Sequence, residues 1–138
     1  MSMYYKEYKD QIEPYKWLLV ERIKDVQVLL RDRNRILASN GASFIPVYAT
    51  DLVEACRNLI DVIPPDVRAS IGKLEELLEQ ISSVEYEELL VDTGQARALK
   101  LLESLVMEAH MCLRSVISSL ASKGLLLRSK GKMGAVEE

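Results

Sequence analysis

Residue types able to do acid–base, nucleophilic or metal chemistry are sparse in this chain. It has one histidine, His110, and two cysteines, Cys56 and Cys112. A single histidine excludes His-paired metal sites and the HExxH arrangement. The Glu-x-x-His pairs of di-metal bundles are absent too, because the residue three before His110 is Met107. One group of helical ribonucleases places an arginine ahead of its histidine with four to six residues between them; here those positions hold Leu105, Ser104 and Glu103. No glycine-rich phosphate loop and no GxSxG elbow occurs, and Ser118-Ser119 have no base close by in sequence. No catalytic residue, metal or cofactor is therefore expected. A helical enzyme built from scattered Arg, Lys and Glu side chains stands as a further alternative.

The two cysteines lie inside amphipathic patterns, with no CxxC and no Cys–His cluster. That usage fits a reducing compartment, so a cytoplasmic location is expected. Each reads as a small apolar core residue. A disulfide between them would require their helices to pack side by side. On a helical wheel His110 shares its face with Glu103, Met107, Arg114 and Ile117, the setting of a boundary histidine.

The elements that carry these residues follow from composition and spacing. At 138 residues, with 49% apolar and 28% charged residues, the chain is long enough for one globular core and too apolar for disorder. The expected domain is residues 1–127, followed by a flexible basic tail at 128–138. Net charge is −3 and the isoelectric point is near 5.3, which predicts no global attraction to nucleic acid or anionic membranes. The opening Met1-Ser2-Met3-Tyr4-Tyr5-Lys6-Glu7 has no apolar run, so no secretory leader is expected. No stretch approaches the roughly 18 apolar residues of a membrane span.

Apolar steps of three and four predict four main helices. The first covers about residues 14–38, with a start near Asp10 also possible from its capping-box spacing to Glu13. Its stripe is Ile12, Tyr15, Leu19, Ile23, Val26, Leu30 and Leu37, interrupted by Arg33, and Asn40-Gly41 closes it. The second covers about 51–63, with Thr50 as N-cap and Pro64-Pro65 as stop. The third runs from about 66 to Ile81. A short turn at 85–91 follows, capped through Ser82 and Glu85, and then the last helix at about 94–123. Leu99, Leu102, Val106, Ala109, Leu113, Val116 and Leu120 form a heptad seam along it. Residues 43–48, the only β-favouring run, hold Pro46 in the middle and are expected to form a connecting loop.

The fold expected is all-α: a four-helix up-down bundle with two long helices, an aromatic N-terminal arm and a flexible basic C-terminal tail. Leu101, Leu105, Met107, Met111 and Cys112 lie beside the heptad seam, more apolar surface than one seam needs. With Tyr4 and Tyr8 of the aromatic arm, they are the expected self-association residues. The function expected is accordingly non-enzymatic: self-association, with a dimer favoured, or a small structural or adaptor subunit binding a helical partner protein. Acids cluster between Glu75 and Asp92, and bases between Arg114 and Lys132. The alternative is thus a nucleic-acid-associated subunit using Lys123, Arg128, Lys130 and Lys132. The acidic stretch is expected to face Arg31 and Arg35; the basic end is expected to have no partner.

Overall fold

The structure is a computed structural model that describes residues 2–68 and 71–124, with side chains from residue 16 onward. Among the described residues the chain is all-α, with no strand. Six α-helices occur: α1 Ser2–Arg31, α2 Arg33–Asn40, α3 Ile45–Asp61, α4 Gly72–Ser82, α5 Tyr86–Leu89 and α6 Asp92–Ser122. Short 3-10 turns at Ala42–Phe44 and Pro65–Val67 flank α3.

The expected first helix is longer and is divided. It starts at Ser2, so Pro14 lies inside it and costs the ladder one bond. The aromatic arm is thus part of α1, while the side chains of Tyr4 and Tyr8 lie outside the described residues. At Asp32 the backbone leaves the helical region (φ −92°, ψ 8°), and α2 begins one residue later. Asp32 accepts from Arg35 at 2.9 Å and Arg31 at 3.4 Å, so these arginines are engaged locally rather than by the acids of 75–92. The Leu29 carbonyl, just before this break, accepts the hydroxyl of Tyr48 from α3. Gly41, at φ 79°, closes α2 as expected and gives its N–H to the Leu37 carbonyl at 2.9 Å.

Residues 43–48 are a correction: rather than form a loop, 43–44 lie in the 3-10 turn and 45–48 open α3. Pro46 sits in the first turn of α3, where a missing N–H costs nothing. Thr50, expected as a cap, lies inside α3 and donates its hydroxyl to the Pro46 carbonyl at 2.9 Å. The third expected helix likewise splits into the 3-10 turn and α4. The cap of α5 is shifted, with Glu88 accepting from the backbone N–H of Glu85 at 3.3 Å.

Helices α3 and α6 form the centre. α3 packs against α1, α4 and α6; α6 packs against α1, α3, α4 and α5. The core joins Leu19, Ile23 and Val26 of α1 to Leu52, Val53 and Leu59 of α3, Leu74 and Ile81 of α4, and Leu102, Leu105, Val116 and Leu120 of α6. Coverage from several sides explains why Leu105, Cys112 and Ile117 are buried beside the seam. One seam position fails: Leu99 is 43% exposed and Ala98 is buried in its place.

Gly94, at the expected start of the last helix, lies inside α6, which opens at Asp92. A Cβ there would come within 1.8 Å of the Glu88 carbonyl oxygen, so only glycine lets α5 cross this closely. Gly94→Ala should cost about 2–3 kcal/mol, read as a lower urea midpoint at unchanged slope.

Burial pushes the Tyr48 phenol up to about 12, with Asp32 adding to the rise and Arg33 opposing it. A phenol raised in the folded state favours folding while neutral. Its contribution is complete below pH 10 and is lost as pH rises towards 12. Tyr48→Phe should cost about 1–3 kcal/mol at neutral pH by stranding the Leu29 carbonyl. It should also flatten the alkaline fall in stability, measured by urea titration at stepped pH.

Candidate functional site

Neighbouring residues of α6 divide between inside and outside. Leu105 (0% exposed) and Cys112 (7%) belong to the core, a correction to their expected place on a contact surface. They are seven residues apart and so share the inward face. Leu101 is partly buried against the core. Met107 and Met111, four residues apart on the outward face, are 65% and 59% exposed. Exposed side chains of this size are the exception on α6, whose other large apolar residues mostly turn inward.

An open groove of about 430 Å³ lies against these methionines, lined by Arg33, Glu103, Val106, Met107, His110, Met111 and Arg114. Six of those residues come from one side of α6, between Glu103 and Arg114, each three or four residues from another. Arg33 comes from the start of α2, immediately after the break at Asp32. Its guanidinium reaches Glu103 at 2.9 Å, tying α2 to α6 across the groove.

His110 is exposed on this surface, yet its imidazole is held below its usual range. Partial burial is the main cause, followed by the positive charges of Arg114 and Arg33. The groove therefore carries two guanidiniums and a histidine against one carboxylate, already engaged by Arg33. It is locally electropositive in a chain of net charge −3. Such a surface suits a carboxylate-bearing partner flanked by apolar side chains, since thioethers adapt to varied contacts. None of the lining residues is a Ser, Cys or Tyr that His110 could activate, and the one carboxylate, Glu103, is paired with Arg33.

Sequence reasoning placed His110 beside Glu103, Met107 and Arg114, and the structure brings these four together. It also grouped Ile117 with them, but Ile117 is buried. Arg33 was missed as a groove residue. In the sequence it shows only as an interruption of an otherwise regular apolar stripe, which does not place it against α6.

The expected basic contact is altered in its first member. Lys123 is hydrogen-bonded and ion-paired to Asp66, so the end of α6 is held to the 3-10 turn before α4. That bond holds the Asp66 carboxyl below its usual range. Arg128, Lys130 and Lys132 lie outside the described residues.

Among the described residues no helix is long and apolar enough to cross a membrane. Nor does any group of three or more His, Cys, Asp or Glu among them come together as a metal site. Compared with models of protein families, curated proteins and solved structures, the chain matches none.

The electropositive groove has a titration signature. A histidine depressed in the folded state favours folding when neutral, so its contribution is present above the unfolded value of about 6.5 and is lost as pH falls through the folded value. An imidazole NMR titration should place His110 below 6.5, and Arg114→Gln should move it upward. An unshifted or raised midpoint in the parent protein would show that burial and the two arginines do not act on this ring.

Proposed function

We propose that the protein is a non-enzymatic, cytoplasmic helical-bundle component that works by protein–protein contact, its first partner being a second copy of itself. The observation that carries this is the exposed Met107–Met111 pair set beside the groove of opposite charges. In this reading α1, α3, α4 and α6 are the arms of an up-and-down bundle, with α2 and α5 as short additions.

The outward face of α6 is complementary to itself. In an antiparallel two-fold pairing, Met107 meets Met111 of the copy, and Glu103 approaches Arg114 of the copy. The two pairs have midpoints within about half a residue of each other along the helix, near Ala109, so one axis brings both together. The methionines would supply the apolar centre and the charges the rim that fixes register. Leu99, on the same side and 43% exposed, extends the apolar strip towards the start of α6.

Sedimentation velocity from about 1 to 100 μM should show a concentration-dependent dimer. Met107→Glu with Met111→Glu should weaken it more than tenfold, about 1.4 kcal/mol, while circular dichroism and thermal midpoint stay close to the parent. Glu103→Arg should also weaken it, and adding Arg114→Glu should restore it. A chain monomeric throughout the concentration range overturns the proposal. So does a dimer indifferent to the methionine substitutions.

A further inference from the structure

A second exposed patch lies at the start of α6, where α5 crosses over Gly94, about 20 Å along the helix from Met107. Tyr86 and Leu90 are four residues apart, and the backbone is still helical at Leu90 (φ −85°, ψ −9°), so they share one face. With the adjacent Val91, each is more than half exposed. Large apolar side chains turned outward together in one short stretch mark a contact surface. Glu87 and Asp92 border it. Both are exposed, and neither forms an ion pair among the described residues, whereas Glu88 is met by Arg97. We propose that, in the self-paired protein, segment 125–132 of one copy docks on this acidic, apolar patch of the other copy. The proposal rests on the antiparallel pairing of α6 described above.

The segment has the complementary chemistry. Leu125, Leu126 and Leu127 precede Arg128, Lys130 and Lys132, with no acid among them. It supplies apolar side chains for Tyr86, Leu90 and Val91, and cations for Glu87 and Asp92. Within one copy those cations cannot get there. Gly124, just past the end of α6, is about 48 Å along the helix from Asp92. Lys132 lies at most about 29 Å from Gly124 even when the chain between them is fully extended.

Pairing reverses that geometry. With the two-fold axis near Ala109, Gly124 of one copy stands level with about residue 94 of the other, beside the α5 crossing. Packed helices lie about 8–10 Å apart, well within reach of the segment. Asp92 precedes His110 by about five whole turns, so it lies on the groove side of α6, which faces the copy. It is the first acid that the emerging segment meets, and Val91 joins it directly to α5. Two-fold symmetry supplies the seat twice. Exposed ion pairs are individually weak and screened by salt. The docked segment therefore adds a modest, salt-sensitive increment to an association centred on the methionines.

The test mixes isotope-labelled and unlabelled full chains at low salt and treats them with a carbodiimide, which joins lysine amines to carboxylates without a spacer. Peptide mapping should find Lys130 or Lys132 linked to Glu87 or Asp92 in mixed-isotope pairs. In sedimentation velocity, Arg128→Glu with Lys130→Glu and Lys132→Glu should weaken the dimer at least threefold. Adding Glu87→Lys and Asp92→Lys to the same chain should restore it. A dimer in which these links are absent, lead to other acids or occur only in same-isotope pairs overturns the docking and leaves the pairing of α6 standing. So does a dimer indifferent to the charge reversal of the segment. A chain monomeric at every concentration overturns the pairing, and the docking with it. The cross-linking needs no variant, so a substitution that fails to fold does not remove the test.

Discussion

Helix α6 has buried positions from Gly94 to Leu120, on almost every turn of a 31-residue element. A face that wide cannot be covered by one neighbour, because a single helix–helix contact hides only a narrow stripe. Four helices share the task, with α3 and α4 taking the largest parts and α1 and α5 closing the sides. Fully burying a Leu, Ile or Val contributes about 1.5–3 kcal/mol, so failure of any one neighbour to close is costly. One close approach in this arrangement is backbone against backbone, where Glu88 passes over Gly94. That crossing lets four-residue α5 lie against the start of α6. Gln95 reinforces it by donating to the Leu89 carbonyl at 2.8 Å.

The ion pairs between elements are exposed except for the half-buried Arg33, and exposed pairs are worth little in stability. Their placement is informative all the same. Arg57–Glu75 joins α3 to α4 at 2.6 Å, Arg97–Glu88 joins α6 to α5 at 3.1 Å, and Arg33–Glu103 joins α2 to α6. Lys123–Asp66 holds the far end of α6. Each bridges two elements that already pack or nearly pack, and so favours one register over its neighbours. Acids and bases that look segregated along the sequence are thus interleaved in space. The acidic run between residues 75 and 92 is met by Arg57 and Arg97 rather than by the arginines around the end of α1.

Period was the legible part of the sequence, and local conformation was not. The three- and four-residue steps located the long α6, the end of α2 at Gly41 and most of the buried face. A strict heptad seam, however, assumes 3.5 residues per turn. An α-helix drifts by about 20° per heptad against that repeat, which rotates Ala98 inward and leaves Leu99 outside. Residues 43–48 were misread because β-branched and aromatic types favour extended backbone. Packing overrides that preference here, since Tyr48 is almost wholly buried with its hydroxyl on Leu29, and Pro46 suits a first turn as well as a loop. For the site, the face from Glu103 to Arg114 was readable from spacing alone. The arrival of Arg33 was not, because it depends on the break at Asp32, which no glycine or proline marks.

The inward and outward faces of α6 separate two kinds of chemistry within one turn. Met111 and Cys112 are adjacent in sequence, yet consecutive residues on a helix point about 100° apart, which here means one towards solvent and one into the core. Truncating the outward residue removes surface that water already reaches, so its energetic consequence is confined to whatever binds there. Altering the inward residue opens a cavity or strands a polar group among close-packed neighbours, so its consequence spreads to α3 and the whole centre. A contact function assigned to Met107 and Met111 is therefore separable by mutation from the stability of the fold. Leu105, placed by sequence on the same contact surface, offers no such separation, because its loss would weaken the core and any interface built on that core together.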